Sequence, residues 1–399
     1  MGDLLTFEQA QAHVLERARP LAAEHVPLAA AAGRVTAASA HSAVDLPPFA
    51  SSAMDGYAVR AVDVPGTLRV VARVAAGRPA DRPLAAGEAM EISTGGVVPE
   101  GADSVVPVEY VVQHDNEIEV AEAVVLGANV RPRGGDAEAG AVVVDAGIRL
   151  GAAQIGALGA AGIAELECVR RPRVAVLATG TELARPGEPL GPGQVYEANA
   201  LMLAAALAAA GAEVEQLPAV ADDESAHRAA LERGLDAAVL VTSGGVSVGP
   251  HDLVRQIEND LGVEEVFWRV AIRPGKPVSF GVRGETLVFG LPGNRVSSLV
   301  GCELFVKPAV RALLGLREPL PPLEDARLSA PLRRNAGRDD FVRARVRMTP
   351  DGALVEPIVG QESHMIVRAA LADALVHVPR GEGALAAGTR VGWFRLGAA

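Results

Sequence analysis

Residues 237–253 constrain this chain more than any other stretch. An apolar, β-branched run from Ala237 to Thr242 leads into Ser243-Gly244-Gly245-Val246-Ser247-Val248-Gly249 and then Pro250-His251-Asp252-Leu253. The run predicts a buried parallel strand, the glycines its C-terminal loop, and the segment after them a helix with proline near its first turn. Backbone N–H groups at a helix start lack partners and carry positive partial charge, and glycines let a phosphate come close to them. Taken alone, a glycine-rich turn between strand and helix is more often only a turn.

The arrangement recurs twice. Residues 173–178 (RVAVLA) run into Thr179-Gly180-Thr181-Glu182-Leu183, and residues 286–289 (TLVF) run into Gly290-Leu291-Pro292-Gly293-Asn294 ahead of an apolar, helix-like segment from Val296. Three such loops in one segment of alternating strands and helices belong on one edge of one sheet, where open α/β sheets bind ligands.

Either side of this segment the pattern differs. Thr6 followed by Gln9 predicts a capping box opening an amphipathic helix. From Val44 to about Arg133, short alternating β pieces punctuated by Gly and Pro predict a β-rich unit, and a helix around 151–162 is expected to pack back on the first helix. Beyond a Pro- and Leu-rich linker at 315–322, four short strands predict a small antiparallel barrel or sandwich. The division expected is therefore 1–43 with 138–168 as a discontinuous unit, 44–137 β-rich, 169–316 α/β, and 317–399 a C-terminal β-barrel.

Charge and cysteine content narrow the function. A net charge of −12 over 399 residues disfavours nucleic acid and anionic membranes as partners. Cys168 and Cys302, the only cysteines, are too few for a tetrathiolate site and read as buried small hydrophobes. The N-terminus lacks a basic region followed by an apolar core, and the Ala/Leu-rich stretch at 200–212 is shorter than the roughly 20 residues of a membrane span, so a cytoplasmic protein is expected.

Six motifs, in order, resemble those of the molybdopterin molybdenumtransferase family, which includes the E domain of gephyrin. They are SAMDGYA at 52–58, Ser93-Thr94-Gly95-Gly96 with Pro99-Glu100-Gly101-Ala102-Asp103, the loops at 179–183 and 243–249, Pro274-Gly275-Lys276-Pro277, and the loop at 290–294. The resemblance implies an enzyme of molybdenum-cofactor synthesis that inserts molybdate into adenylylated molybdopterin and releases AMP. It implies a homodimer with sites built from both subunits, an α/β domain similar to the molybdopterin adenylyltransferases, and such an adenylyltransferase as a candidate partner. A cofactor-binding scaffold that has lost turnover and an adenylyltransferase proper are the rival readings.

Residue roles follow from the resemblance. Glu182, Asp222 and Asp252 match acidic positions and are the expected Mg²⁺ ligands, although Asp222 alone reads as well as a helix cap or a solvated face, a reading that Glu182 and Asp252 invite less. Ser243, Gly244, Gly245 and Ser247 are expected to offer N–H donors to a pyrophosphate, with Thr179, Gly180, Pro292, Gly293 and Asn294 beside them. Molybdate is expected at Arg273, Lys276, Pro277, Arg338 and Ser363, with Arg269 nearby. Asp55 and Thr94 are expected over the partner's crevice, Gly95 is expected to bind substrate, and Asp55, Glu182, Asp222, Asp252 and Lys276 are expected to carry the catalysis. The chain departs from the family's pattern at Thr181, where aspartate is usual, at Arg295, where proline is usual, and at Arg269 and Arg273, where lysine is common.

Overall fold

The computed structural model describes residues 4–220, 223–245 and 253–397. Its centre is a six-stranded sheet in the order Glu213–Gln216, Arg173–Ala178, Val239–Ser243, Thr286–Leu291, Ser279–Arg283 and Glu264–Trp268. The first four strands are parallel, and Ser279–Arg283 runs antiparallel to both of its neighbours, Thr286–Leu291 and Glu264–Trp268. All five residues of Val239–Ser243 are buried, as expected of a strand covered on both faces. Because side chains alternate along a strand, Val174 and Val176 enter one core with Leu203, Leu207 and Phe289, and Ala175 and Leu177 enter a second with Leu231 and Ile257. Helices on both faces thus make the domain doubly wound: Asn199–Ala210 and Arg295–Gly301 cover one side, Glu224–Gly234 and Leu253–Asp260 the other.

The parallel register has a direct consequence for function. Ala178 lies beside Ser243, and Ser243 beside Leu291, so the three glycine loops leave the sheet side by side.

The helix Phe7–Arg17 begins with Thr6 and Gln9 bonded reciprocally, the capping box expected. Its partner differs from the expectation. Phe7, Ala10 and Val14, spaced for one helical face, join the α/β core, and the Phe7 ring meets Phe341 of the C-terminal domain edge-on at 5.3 Å. The helix Ala152–Ala160 instead contributes Leu158 to a separate cluster with Val26, Leu166 and Cys168. There Ala23–Pro27 pairs with Glu165–Val169, and Ala40–His41 with Val142–Val144. Between these segments lies a six-stranded sheet in the order Ser104–Pro107, Gly56–Val59, Glu88–Ile92, Gly66–Val74, Glu117–Val120 and Val111–His114.

The C-terminal region closes into a five-stranded barrel made by Glu324–Leu328, Asp339–Thr349, Gly352–Pro357, Ala374–Val378 and Arg390–Arg395. The polar segment Glu324–Leu328, part of no strand expected from the sequence, seals it by pairing antiparallel with Arg390–Arg395 and parallel with Gly352–Pro357, so the barrel is not wholly antiparallel. Only Ala326 and Leu328 of that segment turn inward, which leaves its sequence looking like a linker. Trp393, Ala344 and Val376 fill the interior, while Phe341, Leu375 and Phe394 face outward into the α/β core. Ile272–Arg273 pairs in parallel with Asp339 and Asp340, stitching the two domains together where the larger of two cavities opens.

Candidate functional site: two cavities beside one turn

The first cavity lies at the strand ends. Thr179, Glu182, Asn199, Ser243, Gly293 and Arg295 line about 90 Å³ there. The loops meet closely: a β-carbon on Gly244 would stand 2.7 Å from the Thr179 carbonyl oxygen, and one on Gly293 3.7 Å from the Gly244 Cα. Gly244 also has φ +101, a conformation that L side chains rarely adopt, so only glycine fits this crossing without strain. Asn199 ties the loops, its amide nitrogen donating to Ser243 Oγ at 2.8 Å and to Gly293 O at 2.7 Å. Glu197 shares the cavity and accepts from the Ala200 N–H at 2.8 Å.

The second cavity, about 660 Å³, lies between the α/β domain and the barrel. Arg273, Lys276, Pro277, Arg338 and Ser363, the set expected to hold molybdate, all line it. Four cationic side chains, Arg273, Lys276, Arg338 and Arg343, stand against two carboxylates, Asp340 and Glu362. Arg273 is not free to use its whole fork. Its Nε donates to Asp340 Oδ1 at 2.6 Å and a second nitrogen to Oδ2. Asp340 is 2% exposed, and burial pushes its carboxyl above the usual range against the pull of Arg273. Arg343, likewise 2% exposed, is pushed down to about 10 by burial. Among the described residues its Nε has no hydrogen-bond partner, and a terminal nitrogen reaches the Gly360 and Glu362 carbonyls only at 3.5 Å. A buried guanidinium so weakly satisfied is a donor without an acceptor.

The two cavities share one turn. Gly293 and Arg295 face the first and Ser297 the second, and the Val296 N–H donates to Ser363 O at 3.1 Å, which holds the barrel loop against the helix start.

Other expected residues fall elsewhere. Gly180 and Gly245 sit on the loops beside Thr179, Pro292 O accepts from Ser243 Oγ at 3.4 Å, and Asn294 stands at the N-cap position of the helix Arg295–Gly301 without a side-chain cap bond. Arg269 lines neither cavity and lies over the Trp268 ring, 3.6 Å from its centroid. Asp55 accepts from the Thr94 N–H at 2.7 Å, and the Gly95 N–H donates to Ser52 O at 2.8 Å, so the three form one exposed patch that lines neither cavity. Asp222, Ser247 and Asp252 lie outside the described residues. Among the described residues no three His, Cys, Asp or Glu gather as a metal site. Both cysteines are buried, and burial raises both thiols. No helix among the described residues is long and apolar enough to cross a membrane.

Asn199, Asp340 and Arg343 were not expected from the sequence. Asn199 had a usable signal, a helix start on the segment leading from the first glycine loop. Asp340 and Arg343 had none: three residues apart, they fall on opposite faces of an alternating strand, and nothing in DDFVRARVRM says that either face meets another domain.

Comparison with known proteins covers nearly the whole chain. Residues 5–162 match the MoeA N-terminal region (domains I and II), 175–312 a probable molybdopterin-binding domain, and 325–396 the MoeA C-terminal region (domain IV). Molybdopterin molybdenumtransferase 2 of Mycobacterium tuberculosis is 37% identical, with 98% of each chain covered. Molybdopterin molybdenumtransferase of Haemophilus influenzae is 34% identical over 97% of this chain and 98% of its own. A molybdopterin biosynthesis MoeA protein from Pyrococcus horikosii superposes with a TM-score of 0.83 at 33% identity, covering 98% of this chain and 99% of its own.

Proposed function

The chain belongs to the molybdopterin molybdenumtransferase family, and from that premise we propose how its two cavities divide the work. It is a transferase of molybdenum-cofactor biosynthesis that acts by inserting molybdate. In the proposed division the strand-end crevice holds adenylylated molybdopterin and the inter-domain cavity holds molybdate, with AMP released. The observation that carries this is the composition of the larger cavity. Lys276, Arg338 and Arg343 offer positive charge that Asp340 and Glu362 offset only in part, and Ser363 adds a hydroxyl. A dianion needs such a set, because fixed cations and hydrogen-bond donors must replace its lost hydration.

The shared turn supplies the positioning. With one substrate on the Gly293 side and the other on the Ser297 side, reacting groups meet across a single turn, and orientation accounts for much of the rate. No protein nucleophile is required, since the sulfurs that bind the metal belong to the pterin. The crevice carboxylates Glu182 and Glu197 are hard oxygen donors that fit Mg²⁺, and Glu182 would hold it together with Asp222 and Asp252. Bound there, Mg²⁺ would neutralise pyrophosphate charge.

The proposal includes a homodimer. Asp55, Thr94 and Gly95 are exposed or half-buried and line neither cavity of their own chain, which supports their reaching the crevice of a partner. The setting proposed is the cytoplasm, with an adenylyltransferase delivering the substrate.

One experiment tests sites and assembly together. Asp55→Ala and Lys276→Ala proteins are assayed separately and after mixing, with adenylylated molybdopterin, Mg²⁺ and molybdate, reading AMP and active cofactor. Lys276→Ala should need about 10- to 100-fold more molybdate, the scale of a lost charge-assisted contact, and should bind the pterin as before. Mixing should restore part of the activity, because in each mixed dimer one site carries neither substitution and the other carries both. Mixed protein no more active than its parts would sink the shared site. Loss of pterin binding in Lys276→Ala, with the molybdate requirement unmoved, would sink the division of the cavities.

A further inference from the structure

Arg295 occupies the position after Asn294 where the family's motif has proline, so whatever it does is added by this chain. Its side chain lines the strand-end crevice and is half-buried. One terminal nitrogen donates to Tyr196 O at 3.0 Å, and among the described residues it forms no ion pair. A guanidinium carries five N–H donors in a rigid fork, so one bond to a carbonyl leaves most of it available on the cavity side.

A second group in the same crevice has an unused atom among the described residues. The Gly293 carbonyl can only accept, so the Asn199 amide nitrogen must face it. Asn199 Oδ1 is thereby fixed as the other atom, and it is buried with no hydrogen-bond partner among the described residues, on a side chain only 9% exposed. The crevice therefore presents an unused buried acceptor and a cation with spare donors, beside loops whose glycines admit close backbone approach.

We infer that Arg295 binds a phosphoryl group of the substrate and sets this chain's affinity for it, with Asn199 Oδ1 accepting from a neighbouring hydroxyl or N–H of the same ligand. The inference rests on the reading of the crevice as the nucleotide-pterin site. Anchoring of the segment that ends at Tyr196 is the competing role, and charge separates the two. Glutamine can still donate to Tyr196 O but carries no charge, whereas lysine keeps the charge and loses the fork.

The test is calorimetric titration of Arg295→Gln, Arg295→Lys and Arg295→Pro proteins with AMP and with adenylylated molybdopterin, at low and raised salt, with melting curves as the folding control. The Gln and Pro variants should bind roughly 5- to 10-fold more weakly at low salt, and the difference should shrink as salt screens the contact. The Lys variant should keep most of the affinity, and the molybdate requirement should not move. Weakening toward both ligands assigns the contact to the adenylyl phosphate, and weakening toward the pterin compound alone assigns it to the pterin side. A Gln variant that matches the wild type toward both ligands, at both salt concentrations, overturns the inference. If the wild type itself binds neither ligand, the crevice reading fails instead.

Discussion

The larger cavity takes its walls from the loop around Lys276, the strand Asp339–Thr349 and the loop around Ser363, with buried charges fixed between two domains. The crevice takes its walls from three loops leaving one sheet and the segment 195–199, held by backbone contacts and one asparagine. In the first, the groups proposed to bind an anion are side chains whose positions depend on how the barrel docks. In the second, they are largely backbone, placed by the register of adjacent parallel strands. A site of side chains can bring several charges onto a small dianion. A site of backbone and glycine suits an extended phosphate ester that must lie close to the chain. The difference also predicts where substitutions will hurt most, since a buried charge has no water to replace a lost partner.

The largest effect is expected at Arg343, the most enclosed cation of the larger cavity. Arg343→Ala removes both the charge and a side chain packed against Gly360 and Glu362, so the molybdate concentration needed should rise by about 100-fold, and stability should fall by about 2–4 kcal/mol. Arg343→Lys keeps the charge and should recover much of the molybdate response. Steady-state titration of molybdate beside denaturant melts reads both quantities. A folded Arg343→Ala protein with an unaltered molybdate response would leave Arg343 a packing residue and erase the contrast between the cavities.

The same comparison explains what could be read in advance. The glycine loops announce themselves because each is contiguous: a buried strand followed at once by Thr179-Gly180, Ser243-Gly244-Gly245 or Pro292-Gly293. Strand register then brings them together without further information. Lys276 and Pro277 were legible for the same reason. Arg343 was not, since an alternating strand says which residues share a face but not whether that face meets solvent. On Asp339–Thr349, Ala344 and Val346 point into the barrel, so Phe341 and Arg343 point out, and only the docked α/β domain turns that outer face into an interior. The helix Phe7–Arg17 was misassigned by the same gap. Its apolar face was plain, but the core it enters lies some 160 residues and more further along the chain. The strand Glu324–Leu328 was missed because only two of its residues are inward and apolar.

A smaller effect, of unusual sign, is expected from Asp340→Asn. Burial raises this carboxyl in the folded protein, so the folded state holds the proton more tightly than the unfolded chain does. The stability linked to it is fully present below the unfolded value of about 3.9 and is lost as pH rises through the raised value. Asparagine cannot ionise, so that part of the pH dependence should disappear. At neutral pH the stability change should stay under about 1 kcal/mol, because the lost attraction to Arg273 is offset by the removed cost of burying a charge. Freed from Asp340, the Arg273 fork should lower the molybdate requirement by roughly 2- to 5-fold, a part of one charge-assisted contact. Melting curves across pH, with molybdate titration at one pH, read both. A loss of 3 kcal/mol or more would instead make the ion pair a net stabiliser of the domain junction, on the scale of about 3–5 kcal/mol known for broken buried pairs.

The smallest effect is expected at Arg269, which the sequence placed with the substrates and the structure places outside both cavities. Two features are separable there. Its guanidinium covers the Trp268 ring, and its backbone sits at φ +74, unfavourable for any residue with a β-carbon. Arg269→Ala keeps the β-carbon and removes the stack, so stability should fall by about 0.5–1 kcal/mol, the value of a cation–π contact near the surface. Arg269→Gly removes the stack as well but relieves the backbone, which contributes about 1 kcal/mol in the other direction, so the two should nearly cancel. Neither variant should shift the molybdate or pterin response by more than about 2-fold, since the side chain stacks on the tryptophan and lines neither cavity. Melting temperatures of the pair, compared with one titration of each substrate, check this. A tenfold loss of molybdate response in both variants, with melting unchanged, would return Arg269 to the oxyanion site and enlarge that cavity by one cation.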